Sequence, residues 1–165
     1  MITRTYRVTG AVQGVGFRPF VFRVAQEMGL AGWVRNDAHG VIIQATGSPE
    51  TLDRFERALR GEAPAPASVR EVRTIESVTG GTAGPFLILD SENDGAATAQ
   101  VLPDLATCPD CLDEILNPAE RRYRYPFTNC TRCGPRFSIL LRIPYDRPNT
   151  TMAAFTMCPA CRAEY

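Results

Sequence analysis

Six cysteines fall in three C-x-x-C pairs: Cys108/Cys111, Cys130/Cys133 and Cys158/Cys161. Each pair turns the chain tightly enough to aim two sulfurs at one ion, and thiolate sulfur suits zinc. The first two pairs stand 18 residues apart, a C-x2-C-x18-C-x2-C spacing that predicts a tetrahedral zinc site with four thiolate ligands. Gly134 supplies the small residue usual after such a pair. Four thiolates leave no coordination position for water, so this zinc would be structural. The third pair repeats the wording of the first, Cys158-Pro-Ala-Cys-Arg-Ala-Glu-Tyr against Cys108-Pro-Asp-Cys-Leu-Asp-Glu-Ile. The repeat predicts that Cys158 and Cys161 open a second zinc module that would continue past Tyr165, so that the chain is a fragment. An interleaved pairing, with the third pair replacing one of the others, also fits the spacing. A redox C-x-x-C would need a βαβ setting and a single reactive pair, and neither is apparent.

The second chemical feature is Gln13-Gly14-Val15-Gly16-Phe17-Arg18. Two glycines let the backbone turn sharply and aim successive N–H groups at one point. A helix beginning there adds the positive end of its dipole. The planar guanidinium of Arg18 matches two phosphate oxygens. All 18 cationic residues are arginine and none is lysine, which excludes lysine-based phosphate binding and Schiff-base chemistry. Any anion must be held by arginine, backbone N–H groups or metal. No strong general base lies near the loop in sequence. The plainer reading is a glycine-bearing turn with a solvated arginine.

These features need elements to position them. Tyr6, Val8 and Val12 alternate with polar residues and predict a strand. Phe20, Val21, Val24, Ala25 and Met28 make one helical stripe, with Pro19 in the first turn and Gly29 as the stop. A strand follows from Trp33 to Asn36. Asp37-Ala38-His39-Gly40 turns it into Val41, Ile42 and Ile43. Ser48 and Pro49 start a second helix that turns Leu52, Phe55 and Leu59 inward. Val69, Val72, Ile75 and Val78 recur every third position, so the strand they predict carries a bulge. Phe86 to Leu89 adds an edge strand. The βαββαβ order predicts an α+β, ferredoxin-like fold, an antiparallel sheet with two helices on one face. Residues 1–91 form this domain. Residues 92–106 are a connector with an extended piece at Gln100 to Leu102, and residues 107–165 form a zinc-finger-like segment. Trp33 reads as core and His39 as an exposed turn residue.

Gly10-Ala-Val-Gln-Gly-Val-Gly-Phe-Arg18 and Gly32-Trp33-Val34-Arg35-Asn36 resemble the two signatures of the acylphosphatase family. The resemblance implies that the loop from Gln13 to Arg18 binds the phosphoryl group and that Arg18 and Asn36 are catalytic, Asn36 orienting the attacking water. An acyl phosphate has a good leaving group, so positioning and charge neutralisation suffice. Asn36 carries one acceptor and two donors, enough to align a water. Without the resemblance, Asn36 reads as a residue capping its own hairpin.

The wider chain resembles the HypF family, carbamoyltransferases of nickel–iron hydrogenase maturation. The resemblance rests on Phe17-Arg18-Pro19-Phe20, on the run from Arg121 to Cys130 and on Pro144 to Met152. It implies cleavage of carbamoyl phosphate to carbamate and phosphate. It further implies ATP-dependent carbamoyl adenylate formation and transfer to the C-terminal cysteine of a HypE-type maturation protein, by domains beyond Tyr165. The competing readings are a general acylphosphatase and a non-catalytic, zinc-containing protein-binding module. Net charge is zero, so Arg121-Arg122-Tyr123-Arg124-Tyr125-Pro126-Phe127 reads as a packing or inter-domain contact rather than a nucleic-acid reader. The absence of an apolar leader or a membrane-length run predicts a cytoplasmic protein without membrane contact.

Overall fold

The computed structural model describes residues 1–81, 83–92, 98–128, 130, 133 and 137–163. Gly134 and part of the predicted connector, 93–97, lie outside them. The elements run β1 (Ile2–Ala11), α1 (Phe17–Glu27), β2 (Ala31–Asp37), β3 (Gly40–Gly47), α2 (Pro49–Gly61), β4 (Ser68–Thr79) and β5 (Phe86–Ile88). Then come α3 (Pro109–Leu116), three short 3-10 turns and α4 (Pro159–Ala163).

The first six elements follow the predicted βαββαβ order. The sheet order is β4-β1-β3-β2-β5. The first four strands pair antiparallel, but β5 joins β2 in parallel, so the sheet is mixed rather than purely antiparallel. Tyr6, Val8, Val34, Val41 and Ile43 face Phe20, Val21, Val24, Leu52, Phe55 and Leu59 of the helices in one apolar cluster. Leu30 N–H closes on Ala25 C=O at 2.9 Å and Gly29 takes φ 65°, the left-handed stop that ends α1. Ser48 accepts the N–H of Thr51 at 3.1 Å and caps α2, a contact worth about 1 kcal/mol.

The expected bulge in β4 is present twice, with register shifts opposite Thr5/Tyr6 and Thr9/Gly10. The extra residues turn side chains outward, so only Val72 of the four apolar residues in β4 is buried, while Ile75 and Val78 are exposed. Trp33 is not in the apolar cluster. It is half-buried, donates to Gln44 at 3.2 Å and lies under the Arg35 guanidinium at 5.0 Å.

The connector departs from its reading as a simple link. No strand forms at Gln100 to Leu102. Instead the chain follows β2. Leu89 donates to Val34, Glu92 to Asn36, and Thr98 and Ala99 to Ala38, and Leu102 packs on the core. The free edge of β2 and the hairpin residue Ala38 after it supply the carbonyls, because β5 stops at Ile88.

Candidate phosphate site and cysteine cluster

The phosphate loop is anchored by side chains that point away from its concave face. Val15 and Phe17 are buried in the core. Gly14 and Gly16 take φ 71° and 75°, a left-handed geometry that favours glycine and alternates with the anchoring residues. Gly16 caps α1, its carbonyl accepting from Phe20 at 3.1 Å. Among the described residues, no backbone carbonyl takes the N–H groups of Val15, Gly16, Phe17 or Arg18. They are the orphan donors that a helix N-terminus offers to an anion.

Gln13 has a different job from the one its place in the loop suggests. Its amide is buried, and its Nε2 donates to the carbonyls of Asp37 at 2.7 Å and Gly40 at 2.8 Å. Its Oε1 accepts from the Tyr145 N–H at 2.9 Å. The side chain therefore ties the loop to the β2–β3 hairpin and to a distant segment, and only its backbone is left for an anion. In the hairpin, Asp37 accepts the N–H of His39 at 2.8 Å, and His39 Nδ1 lies 2.7 Å from Thr98 Oγ1.

Asn36, on β2, is fully buried and faces Arg18 across the mouth of the loop. With its amide oxygen toward the guanidinium, it accepts from Arg18 Nε at 3.2 Å and Nη2 at 3.3 Å. The opposite orientation would set N–H against N–H, so the network assigns this one. The two residues that the first signature pair singled out thus meet, although 18 positions part them in the chain.

The sequence missed two further neighbours of Arg18. Nη1 lies 3.4 Å from Ser91 Oγ, and Nη2 donates to Asp146 Oδ1 at 2.6 Å. A carboxylate therefore stands at the loop in space, although none lies near it in sequence. It arrives from 128 positions downstream, where no local pattern announces it. In the sequence, Pro144 to Met152 carries a signal only through the family resemblance.

The cysteines divide in two groups. The sulfurs of Cys108, Cys111, Cys130 and Cys133 all lie within 4.8 Å of one another. Cys108 and Cys130 are 3.6 Å apart, and Cys111 and Cys133 are 3.9 Å apart. Tetrahedral zinc with Zn–S bonds of about 2.3 Å sets its sulfurs about 3.8 Å apart, so the cluster fits that ion. The pairs combine in sequential order. Burial pushes the Cys111 thiol well up. Burial also acts to raise Cys133, but backbone hydrogen bonds from Cys130 and Cys108, joined by side-chain hydrogen bonds from Cys111 and Cys130, outweigh it and bring the thiol down to about 7. Thiols crowded without a cation disfavour shared charge, which a divalent ion would relieve.

Cys158 and Cys161, also read as ligands, are not brought to this cluster. Arg121 Nη1 sits 3.1 Å from Cys161 Sγ and 4.0 Å from Cys158 Sγ. Their turn copies the first one. Leu112 N–H donates to Cys108 C=O at 2.9 Å, and Arg162 N–H to Cys158 C=O at 3.0 Å. The predicted repeat is therefore a repeat of local structure. In the aromatic stretch between the pairs, Tyr123, Tyr125 and Phe127 are exposed, and Tyr125 meets Phe127 edge-on at 5.8 Å. Within it, Arg122 pairs with Glu114 at 2.8 Å.

A mixed sheet under two helices, with an arginine and an asparagine at a glycine loop, defines the class. The acylphosphatase family model matches residues 4–87, and the chain belongs to that family. The model of the HypF finger matches residues 107–140. The chain is similar to the N-terminal part of carbamoyltransferase HypF. It is 55% identical to that of Rhodobacter capsulatus over 96% of this chain and 21% of the relative. A crystal structure of full-length HypF in a phosphate- and nucleotide-bound form superposes with a TM-score of 0.91 at 43% identity, over all of this chain and 22% of that one. The acylphosphatase of Bacillus subtilis matches with a TM-score of 0.51 at 33% identity, over 54% of this chain and 99% of that one. The chain spans about a fifth of the length of the curated HypF relatives it matches. Among the described residues, no helix is long and apolar enough to cross a membrane.

Proposed function

We propose that residues 1–91 hydrolyse the acyl phosphate bond of carbamoyl phosphate. The phosphoryl group enters the loop from Gln13 to Arg18. The free N–H groups and the Arg18 guanidinium neutralise its oxygens. The Asn36 carbonyl keeps the guanidinium in plane, and its amide hydrogens are left to donate to a water in line with the bond to be broken. The water oxygen bonds to phosphorus while the P–O bond to the acyl group breaks. Carbamate leaves with the electron pair, and both of the water's protons end on the phosphate, which departs as dihydrogen phosphate. The observation that supports this most is the contact of Arg18 with Asn36 at the mouth of a loop whose N–H groups are free.

Residues 92–106 then connect this unit to a finger, 107–165, in which Cys108, Cys111, Cys130 and Cys133 hold a structural zinc. Cys158 and Cys161 would take part in a second site. In a longer HypF-type protein of the cytoplasm, carbamate would pass to ATP to form carbamoyl adenylate. The carbamoyl group would then move to the C-terminal cysteine of a HypE-type partner. The match to a free-standing acylphosphatase supports a second reading, a general acylphosphatase. Arg18→Ala should lower phosphate release from carbamoyl phosphate at least about a hundredfold, as loss of a preorganised charge partner does. Undiminished turnover would overturn this assignment of the site, and no turnover by the unaltered chain would leave a non-catalytic binding module as the better account.

A further inference from the structure

An arginine that receives a phosphoryl dianion is expected to present a bare guanidinium. Here Nη2 of Arg18 already meets the carboxylate of Asp146 at 2.6 Å. That carboxylate is held in place by its neighbours. Tyr145 N–H is tied to Gln13 of the loop. The buried Asn149 donates from Nδ2 to Pro144 C=O at 2.7 Å, and its N–H donates to Asp146 C=O at 2.8 Å. Asp146 N–H closes on Pro144 C=O at 2.9 Å. Both side chains of the pair remain about one-fifth exposed, so Asp146 borders an accessible mouth rather than sealing it.

An anion beside Arg18 opposes the binding of any phosphate, and this penalty is common to all acyl phosphates. What distinguishes one acyl phosphate from another is the acyl group. A carboxylate is an acceptor only. The methyl of an acetyl group offers it nothing. An acyl carbon bearing an amino group offers N–H donors that offset the repulsion. We propose that Asp146 determines acyl specificity, accepting a hydrogen bond from an acyl group that bears nitrogen and disfavouring acyl phosphates that lack one. The proposal rests on the acyl-phosphate reading and narrows its substrate class. It also makes the site dependent on a segment that follows the zinc cluster.

The test uses the whole chain with carbamoyl phosphate and acetyl phosphate, comparing kcat/KM for the two. The ratio does not depend on how much of a variant is folded. Asp146→Ala should lower the carbamoyl-to-acetyl ratio at least about tenfold, since a site built around a hydrogen bond discriminates strongly against a substrate lacking it. Asp146→Asn keeps an acceptor without the charge, so it should retain more of the ratio than Asp146→Ala. Both variants should bind inorganic phosphate about tenfold more tightly, through loss of a nearby like charge. An unchanged ratio in Asp146→Ala, or phosphate binding no tighter in either variant, would overturn the proposal. Loss of hydrolysis in Arg18→Ala with an unchanged Asp146→Ala ratio would defeat this inference alone. Retained hydrolysis in Arg18→Ala would defeat the placement of the reaction at this loop, on which the inference rests.

Discussion

The sheet-and-helix unit and the cysteine-bearing segment are held together by different physics. In the first, twenty side chains between Tyr6 and Phe86 form one buried apolar cluster. In the second, the buried positions include Cys111, Cys133, Thr128, Asn149 and Thr150, while Leu116, Phe127, Phe137, Leu141 and Phe155 are each more than half exposed. Order in one half follows from hiding hydrocarbon from water. In the other it follows from converging sulfurs and a web of polar contacts. The difference teaches where each half is vulnerable, and removing the support of one should spare the other.

Metal removal is the strongest way to separate them. A structural zinc of this type contributes on the order of 10 kcal/mol to folding, so a strong chelator should unfold the region around Cys108 to Cys133. Amide dispersion measured by NMR for residues 1–88 should persist. A chelated protein whose α3 stays protected from hydrogen exchange would contradict the contrast. Phe55→Ala probes the opposite half. Phe55 sits edge-on to Tyr6 at 6.0 Å and to Phe86 at 6.5 Å. Its truncation should cost the sheet unit about 3–5 kcal/mol in denaturant unfolding. The zinc content per chain should not change. Gln13→Ala acts on the seam between the halves. It leaves the Asp37 and Gly40 carbonyls and the Tyr145 N–H without their partner and should cost about 2–3 kcal/mol. Faster hydrogen exchange at Tyr145, with little change at α3, is the expected signature. Equal protection at Tyr145 would mean that the seam does not depend on Gln13.

Much of the fold was legible because its signals are local. Alternation marked β1, a stripe of apolar residues marked α1, and Ser48-Pro49 marked the start of α2. Asp37 to Gly40 marked the hairpin. The four-cysteine cluster was legible because its spacing encodes its geometry. Arg18 was legible from its glycine loop, while the role of Asn36 rested on resemblance, since Asn36 has no sequence pattern of its own. Other features were hidden for physical reasons. The period of three in β4 announced a bulge, but not that there are two. Asp146 and Ser91 reach Arg18 only through tertiary structure. Gln13 was read for its place in the loop, whereas its side chain serves the hairpin and Tyr145.

The bond between Arg18 and Asp146 also sets an order in time. A chain emerges from the ribosome beginning at its N-terminus, and N-terminal units fold first. The sheet and both its helices are complete once Ile88 has been made. At roughly 5–20 residues per second, Asp146 follows about 3 to 12 seconds later. During that interval the nascent unit displays its arginine without the carboxylate that will later stand beside it. The mouth of the site is finished after the sheet unit and after the first four cysteines have been translated, so the phosphate site reaches its final form only once the cysteine segment has been made.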